Sequence, residues 1–146
     1  MTKLMKKDSL KKFSESLLYI LIVIGFVFLI PKALSFVLKT PYPIAAISSS
    51  SMWPTLKAGD LILIEGVKKE NLKIGDIVVY QNMKQGKGFT VHRVIKINDQ
   101  NFITRGDANT VSDKPVKYNK LIGRVVHLRN HPFRIPYLGR ITMLIH

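Results

Sequence analysis

Few side chains in this sequence can serve as nucleophile, base or orienting acid. There is no cysteine, which excludes a thiol nucleophile, a thiolate metal site and a disulfide framework. Four hydroxyls stand in a row instead, Ser48-Ser49-Ser50-Ser51, followed by Met52, Trp53 and Pro54. Proline fixes its own φ and biases Trp53 toward an extended or turn conformation, so the run cannot continue as a helix. It reads as the end of a strand passing into a short, stiff corner, where a serine Oγ can face a cleft. By composition alone, a serine run is an ordinary solvated loop. A serine nucleophile also needs a base to take its proton and, commonly, a third group to hold that base. The histidines are His92, His127, His131 and His146. His92 lies inside the longest β-prone stretch, on one face with Thr90 and Val94, while Val91 and Arg93 face the other way. Taken alone, such a strand histidine is structural. Asp107 and Asp113, six residues apart in the polar stretch Gly106–Asp113, are the acids that a hairpin return from the His92 strand can bring back beside it. The spacing does not choose between them.

The elements that must position these groups divide the chain in two. From Leu17 to Pro31 no residue is charged, and the apolar character resumes after Lys32 through Leu38. Read as 17–38, the segment is long enough to cross a hydrocarbon core about 30 Å thick at about 1.5 Å per residue. Lys3, Lys6, Lys7, Lys11 and Lys12 precede it, against Lys32 and Lys39 just after it, so the N-terminus is expected in the cytoplasm and the remainder outside. A cleaved secretory leader with a small-x-small site at Ala33-Leu34-Ser35 is the rival reading. The apolar run continues past that site, which favours a retained anchor. The organisation expected is a basic cytoplasmic N-terminus at 1–16, an anchor at 17–38, and an extracytoplasmic domain at 39–146. Pro41-Tyr42-Pro43 reads as a stiff linker between the last two.

Beyond residue 40 the period changes. Residues 61–64, 77–80, 89–97, 101–105 and 121–128 read as strands, separated by turn signals at 58–60, 74–76, 86–88, 98–99 and 105–107. The fold expected is mainly β, one transmembrane helix followed by a single all-β domain. At Gly59-Asp60 and Gly75-Asp76, glycine supplies a special φ and aspartate bonds nearby backbone, so both pairs read as structural. The net charge of +14 favours an anionic partner. With no helix-turn-helix, zinc-finger or aromatic RNA-binding pattern, and with an anchor present, the lipid bilayer accounts for it and a nucleic acid does not. No metal-ligand spacing and no phosphate-binding glycine loop is present, so no metal or cofactor is expected.

Five boxes in order resemble type I signal peptidases: Ser-x-Ser-Met-x-Pro at 49–54, Gly-Asp-hydrophobic at 59–63 and again at 75–79, Val-His-Arg-Val at 91–94, and Gly106, Asp107, Asn109 with Asp113. The resemblance covers about residues 44–128 plus the anchor. The common bacterial enzymes carry lysine where this chain has His92; histidine there resembles the archaeal, endoplasmic-reticulum and sporulation-type branch. That resemblance implies a membrane-anchored serine endopeptidase that removes signal peptides from exported precursor proteins at the cell membrane. It implies Ser51 as nucleophile, His92 as general base, Asp113 as the acid that orients it, and Asp107 as a supporting acid. It also implies Ser49, with the Ser51 N–H, as the oxyanion donor. Substrate is expected to add as a strand beside the Ser51 segment, with small residues at −1 and −3. Met52 and Trp53 are expected at the membrane interface, with core packing the alternative for Trp53. Partner subunits are left open. Two positions depart from the pattern: Ser50 stands for a glycine, where strain in the corner or a narrower cleft is expected, and Ala108 for an asparagine. Many histidine-type members carry a second, C-terminal membrane helix, and Ile135–Ile145 is too short for one. Two other readings use the same residues. One is a self-cleaving or regulatory serine peptidase on this scaffold, and the other a non-catalytic, membrane-tethered β-domain that binds peptides or an anionic surface.

Overall fold

The computed structural model describes residues 2–82 and 88–140 of the chain. The N-terminal unit is a single helix, α1, Thr2–Val37. Its stretch Lys12–Val37, 26 residues, is long and apolar enough to cross a membrane. The apolar residues are spread around the helix and form no single stripe, the pattern of a helix surrounded by apolar material. Pro31 lies inside α1, so the helix reaches 36 residues and extends back through most of the stretch read as a basic N-terminal arm. Lys39, at φ 52°, takes the left-handed region and Pro41 follows two residues on, which ends the helical path.

The second unit, from Leu38 onward, is built on strands. In chain order they are β1 Ile44–Ala46, β2 Leu61–Glu65, β3 Ile77–Asn82, β4 Gly88–Ile97, β5 Asn101–Arg105, β6 Val116–Lys117, β7 Leu121–Val125, β8 His127–Leu128, β9 His131–Pro132 and β10 Arg134–Ile135. Among the described residues, eight form one sheet in the order β1-β2-β7-β3-β4-β5-β6, with β10 also on β2; β8 and β9 make a small hairpin. All the pairings are antiparallel. The expected all-β domain is therefore present, with two differences. The stretch read as one strand at 121–128 is two, β7 and β8, separated by Val126. Pro41-Tyr42-Pro43 is no free linker: Pro43 O accepts the Ile64 N–H at 2.9 Å, Thr40 is buried, and the Tyr42 ring lies 4.8 Å from that of Phe89. The turn read at Gly86-Lys87 and the stretch from Ile141 to His146 lie outside the described residues.

β3 lies between β7 and β4, and Ile77, Val78, Val79 and Tyr80 are all buried. Alternation sends Ile77 and Val79 to one apolar cluster, with Ile47, Met52, Leu56, Ile62, Ile64 and Val125. Val78 and Tyr80 go to the other, with Leu72, Val94, Phe102 and Val116. A continuous apolar run is what a strand covered on both faces requires, and each such side chain contributes about 1.5–3 kcal/mol relative to exposure.

The two Leu-Lys-x-Gly-Asp turns that lead into β2 and β3 have one geometry. Lys57 N–H donates to Asp60 Oδ2 at 2.9 Å and Lys73 N–H to Asp76 Oδ2 at 3.0 Å. Asp60 N–H returns to Lys57 O at 2.9 Å and Asp76 N–H to Lys73 O at 3.1 Å. Gly59 and Gly75 take φ of 92° and 97°, where a Cβ is strained. Arg134 caps Asp60 at 2.9 Å, and Arg124 lies 3.5 Å from Asp76.

Candidate active site

The corner carrying Ser51 is held from below by apolar packing and from the side by a turn. Met52 is 1 % exposed and packs with Leu56 and Ile47 in the first apolar cluster. Trp53 N–H donates to Ser50 O at 3.0 Å and Leu56 N–H to Met52 O at 2.9 Å, closing the chain on itself. Met52 is therefore core and not an interfacial residue, because this closed turn directs it inward. Trp53, 57 % exposed, is not core. The Trp53–Pro54 peptide is cis. Ser50 is exposed and is not among the residues with positive φ, so the strain expected of serine in a glycine position is absent.

The turn after β5 grips the corner from the side. Ala108 N–H donates to Ser51 O at 2.9 Å. A Cβ on Gly106 would lie 2.5 Å from that same carbonyl oxygen, so only glycine permits the approach. Ala108 contributes its backbone here and its side chain is exposed, so the change from asparagine leaves this contact intact.

His92 is 7 % exposed and faces Val78 across the β3–β4 ladder. Its Nε2 lies 3.1 Å from Ser51 Oγ, and its Nδ1 lies 2.5 Å from Asp113 Oδ2. A carboxylate only accepts, so Nδ1 carries the proton and Nε2 is left to accept from the serine hydroxyl. Ser49 Oγ lies 3.1 Å from Ser51 Oγ. Asp113 reaches His92 because β5 pairs back on β4, with Thr104 opposite Val94, and Asp113 N–H then bonds Thr104 O at 2.8 Å. Asp113 Oδ2 also accepts the Thr104 hydroxyl at 2.6 Å.

Asp107 goes elsewhere. Arg93, the next residue after His92, donates Nε to Asp107 Oδ1 at 2.8 Å and Nη2 to Oδ2 at 2.7 Å, a bidentate pair. Thr55 Oγ1 donates to Oδ2 at 2.6 Å, and Arg93 Nη1 to Gly75 O at 2.9 Å. Burial pushes the Asp107 carboxyl up, but the bonds from Arg93 and Thr55 and the Arg93 charge outweigh it and hold the group below the ordinary carboxylate value. The bonds to Asp107 and its charge raise Arg93 against the effect of burial. His127 Nδ1 donates to Val125 O at 2.9 Å, and His131 pairs with Leu128 in the small hairpin. Neither is joined to Ser51 or to an aspartate by a hydrogen bond. His146 lies outside the described residues.

Ser51, His92 and Asp113 thus meet, with Ser49 beside them, while Asp107 holds the corner through Thr55. Thr55, Arg93 and Thr104 were not singled out by the sequence. Arg93 and Asp107 do carry a signal, a permanent cation next to the candidate base and a second acid in the same loop. The two threonines carry none without the register. The site opens on a cleft of about 600 Å³ bordered by Ala45, Ala46, Phe89, Val91 and Asn109. One wall comes from β1, the end strand of the sheet order.

Residues 13–132 match the family model described as "Signal peptidase, peptidase S26". The chain is 28% identical over 150 residues to the signal peptidase complex catalytic subunit SEC11C of Homo sapiens, covering 97% of this chain and 77% of that protein. With the corresponding catalytic subunit of Schizosaccharomyces pombe it is 30% identical over 169 residues, covering 95% and 86%. With that of Candida tropicalis it is 31% identical over 132 residues, covering 81% and 74%.

Proposed function

This chain belongs to the signal peptidase family, peptidase S26, and we propose that it removes N-terminal signal peptides from exported precursors with Ser51 as nucleophile, His92 as general base and Asp113 as the orienting acid. It is a serine-protease hydrolase of the eukaryotic, endoplasmic-reticulum type, as its kinship with the signal peptidase catalytic subunits indicates. The observation that carries the site assignment is the unbroken line Ser51 Oγ, His92 Nε2, His92 Nδ1, Asp113 Oδ2, with separations of 3.1 and 2.5 Å on either side of the ring.

The chemistry follows from that line. Ser51 Oγ attacks the scissile carbonyl as its proton passes to Nε2. The imidazolium that results is stabilised by the Asp113 carboxylate on Nδ1. Nε2 then delivers the proton to the departing amine, and a water activated by the same nitrogen releases the acyl group from Ser51. The oxyanion is stabilised by the Ser51 N–H and the Ser49 hydroxyl; one donor of this kind is worth about 10²–10³ in kcat. The extended end of a signal peptide adds to the β1 edge, and Ala45 and Ala46 lie in the cleft wall beside its small residues at −1 and −3.

The segment 17–38, which is the apolar end of α1 with Leu38 after it, crosses the cell membrane once, with residues 1–16 cytoplasmic and the domain 39–146 on the far side, on the strength of the lysine cluster that precedes the span. Enzyme and precursor then share one surface, which raises their effective concentration without added contacts. Because the related proteins are named as subunits of a signal peptidase complex, partner subunits are part of this proposal.

The test is cleavage of a precursor with alanine at −1 and −3 by the full chain in detergent. Ser51→Ala and His92→Ala should each lose cleavage while keeping the wild-type melting temperature, and a serine-directed probe should label Ser51 alone. Cleavage at the wild-type rate by Ser51→Ala sinks the assignment.

A further inference from the structure

The Ser51–His92–Asp113 line does not end at the aspartate. Behind it, on β5, sits Thr104, a polar residue that is 0 % exposed, and behind Thr104, on β3, lies the hydroxyl of Tyr80. Thr104 Oγ1 is 2.6 Å from Asp113 Oδ2 and 3.3 Å from Tyr80 Oη. A threonine hydroxyl has one proton. The shorter bond runs to a carboxylate, which can only accept, so that proton goes to Asp113. Thr104 Oγ1 is then the acceptor and Tyr80 O–H the donor. Three elements thus contribute to one chain of hydrogen bonds, Tyr80 to Thr104 to Asp113, on the side of the aspartate away from Ser51.

A buried hydroxyl at a core position costs free energy unless it is bonded, and a valine would fill the same volume without that cost. Tyr80 in turn is packed edge-on to Phe102, with ring centroids 6.0 Å apart, and its hydroxyl faces the Asp113 carboxylate as well as Thr104. Asp113 itself is 26 % exposed in its side chain and borders the open cleft on one side and a second cavity on the other. Water can therefore compete for its oxygens and draw it from His92. Its backbone N–H is tied to Thr104 O, but that fixes the chain and not the carboxylate plane.

We propose that Thr104 is a positioning residue for the peptidase reaction, locking Oδ2 of Asp113 onto His92 Nδ1 from the rear, with Tyr80 fixing the direction of the Thr104 hydroxyl. This rests on the assignment of Asp113 as the acid that orients His92. Burial pushes the Tyr80 hydroxyl up to about 12, so Tyr80 remains a donor wherever the enzyme works. The role requires a hydroxyl at 104, not the threonine methyl.

The test is kcat and KM for a precursor with alanine at −1 and −3, using the full chain in detergent, for Thr104→Val, Thr104→Ser, Tyr80→Phe, Asp113→Ala and the double variant Thr104→Val/Asp113→Ala. Thr104→Val should lower kcat about 10-fold or more with KM unchanged, as befits one lost bond to a charged group. Thr104→Ser should restore most of it, and Tyr80→Phe should lower kcat by about 2–5-fold through the weaker, neutral bond. In the Asp113→Ala background, the valine should make no further difference. Equal losses from Thr104→Val with and without Asp113, or loss in Thr104→Ser as large as in Thr104→Val, overturns the proposal and makes Thr104 a fold residue. Wild-type kcat in Thr104→Val with Asp113→Ala inactive overturns it alone. Wild-type activity in Asp113→Ala overturns the site assignment with it. Should the valine variant not fold, unchanged kcat in Tyr80→Phe together with loss in Thr104→Ser gives the same negative answer.

Discussion

Two consecutive side chains of β4 point to opposite faces, and each meets one of two aspartates from the same loop. His92 meets Asp113, and Arg93 meets Asp107. The two pairs are alike in length, 2.5 and 2.7 Å, and differ in what they can do. A guanidinium never gives up its proton, so the Arg93–Asp107 pair is a fixed charge clamp whose further bonds go to Thr55 and Gly75, which are structural neighbours. The His92 ring keeps its second nitrogen, Nε2, toward Ser51 Oγ, so the His92–Asp113 pair can take part in proton traffic. The chemistry of each carboxylate is thus decided by its partner, and the loop needs both. One sets the direction of the His92 ring, and the other holds the corner that carries Ser51.

The largest way to break this comparison is Asp113→Ala. It leaves the Arg93 clamp intact, so melting should change little while kcat falls by about 10⁴, the scale on which an orienting acid acts in a serine triad. Gly106→Ala comes next. Its Cβ meets Ser51 O at 2.5 Å and Asn109 Nδ2 at 2.8 Å, so the turn must back away from the corner. A displacement of that size should cost about 10²-fold in kcat, with KM for a short peptide less affected.

Asp107→Asn sharpens the other half. It should lower kcat about 10-fold or less and take about 1–2 kcal/mol from stability, since the pair is only partly buried. The pH dependence has a defined sign. The Asp107 carboxyl is held below its ordinary 3.8 in the folded chain, so its contribution is fully present above that value and fades as pH falls through the lowered one. Thermal melting followed by fluorescence of Trp53, the single tryptophan, should show the wild-type advantage over Asp107→Asn constant near neutrality and shrinking below about pH 4. An advantage that persists unchanged at pH 2 contradicts the clamp. The smallest effect belongs to Ser50→Gly: with no positive φ to relieve, kcat should stay within about twofold and stability should fall slightly from added chain entropy.

Much of this arrangement was legible because it is written in short, local patterns. The runs at 61–64, 77–80, 89–97 and 101–105 are apolar or alternating, and β2 to β5 form there. The Gly-Asp turns were readable as turns because glycine and aspartate each have one local task. What was missed depends on partners distant in sequence. β1 is three residues long and the strands β6, β9 and β10 are two each, too short for any period to register. Met52 and Trp53 are both apolar, and only the closed turn sends one inward and the other out. Thr104 meets Asp113 because of the register that sets it opposite Val94, just before a bulge near Val94–Lys96, and no sequence pattern encodes that offset. The spacing left Asp107 and Asp113 open for the same reason, since the choice turns on which face of β4 each half of the loop approaches.

The twin turns at 57–60 and 73–76 also bear on the order in which the chain folds. Each closes over three residues with its own side chain as partner, whereas the pairing of Glu65 with Arg124 closes 59. On loop length alone the long closure costs roughly 2–3 kcal/mol more chain entropy. The starts of β2 and β3 are therefore expected to be aimed before β7 joins them, with docking of β7 the slow, non-local step. Stopped-flow refolding should find that Gly75→Ala slows folding, while Arg124→Ala mainly speeds unfolding. The repeated five-residue phrase then serves as a pair of early hinges on which a late-closing sheet is hung.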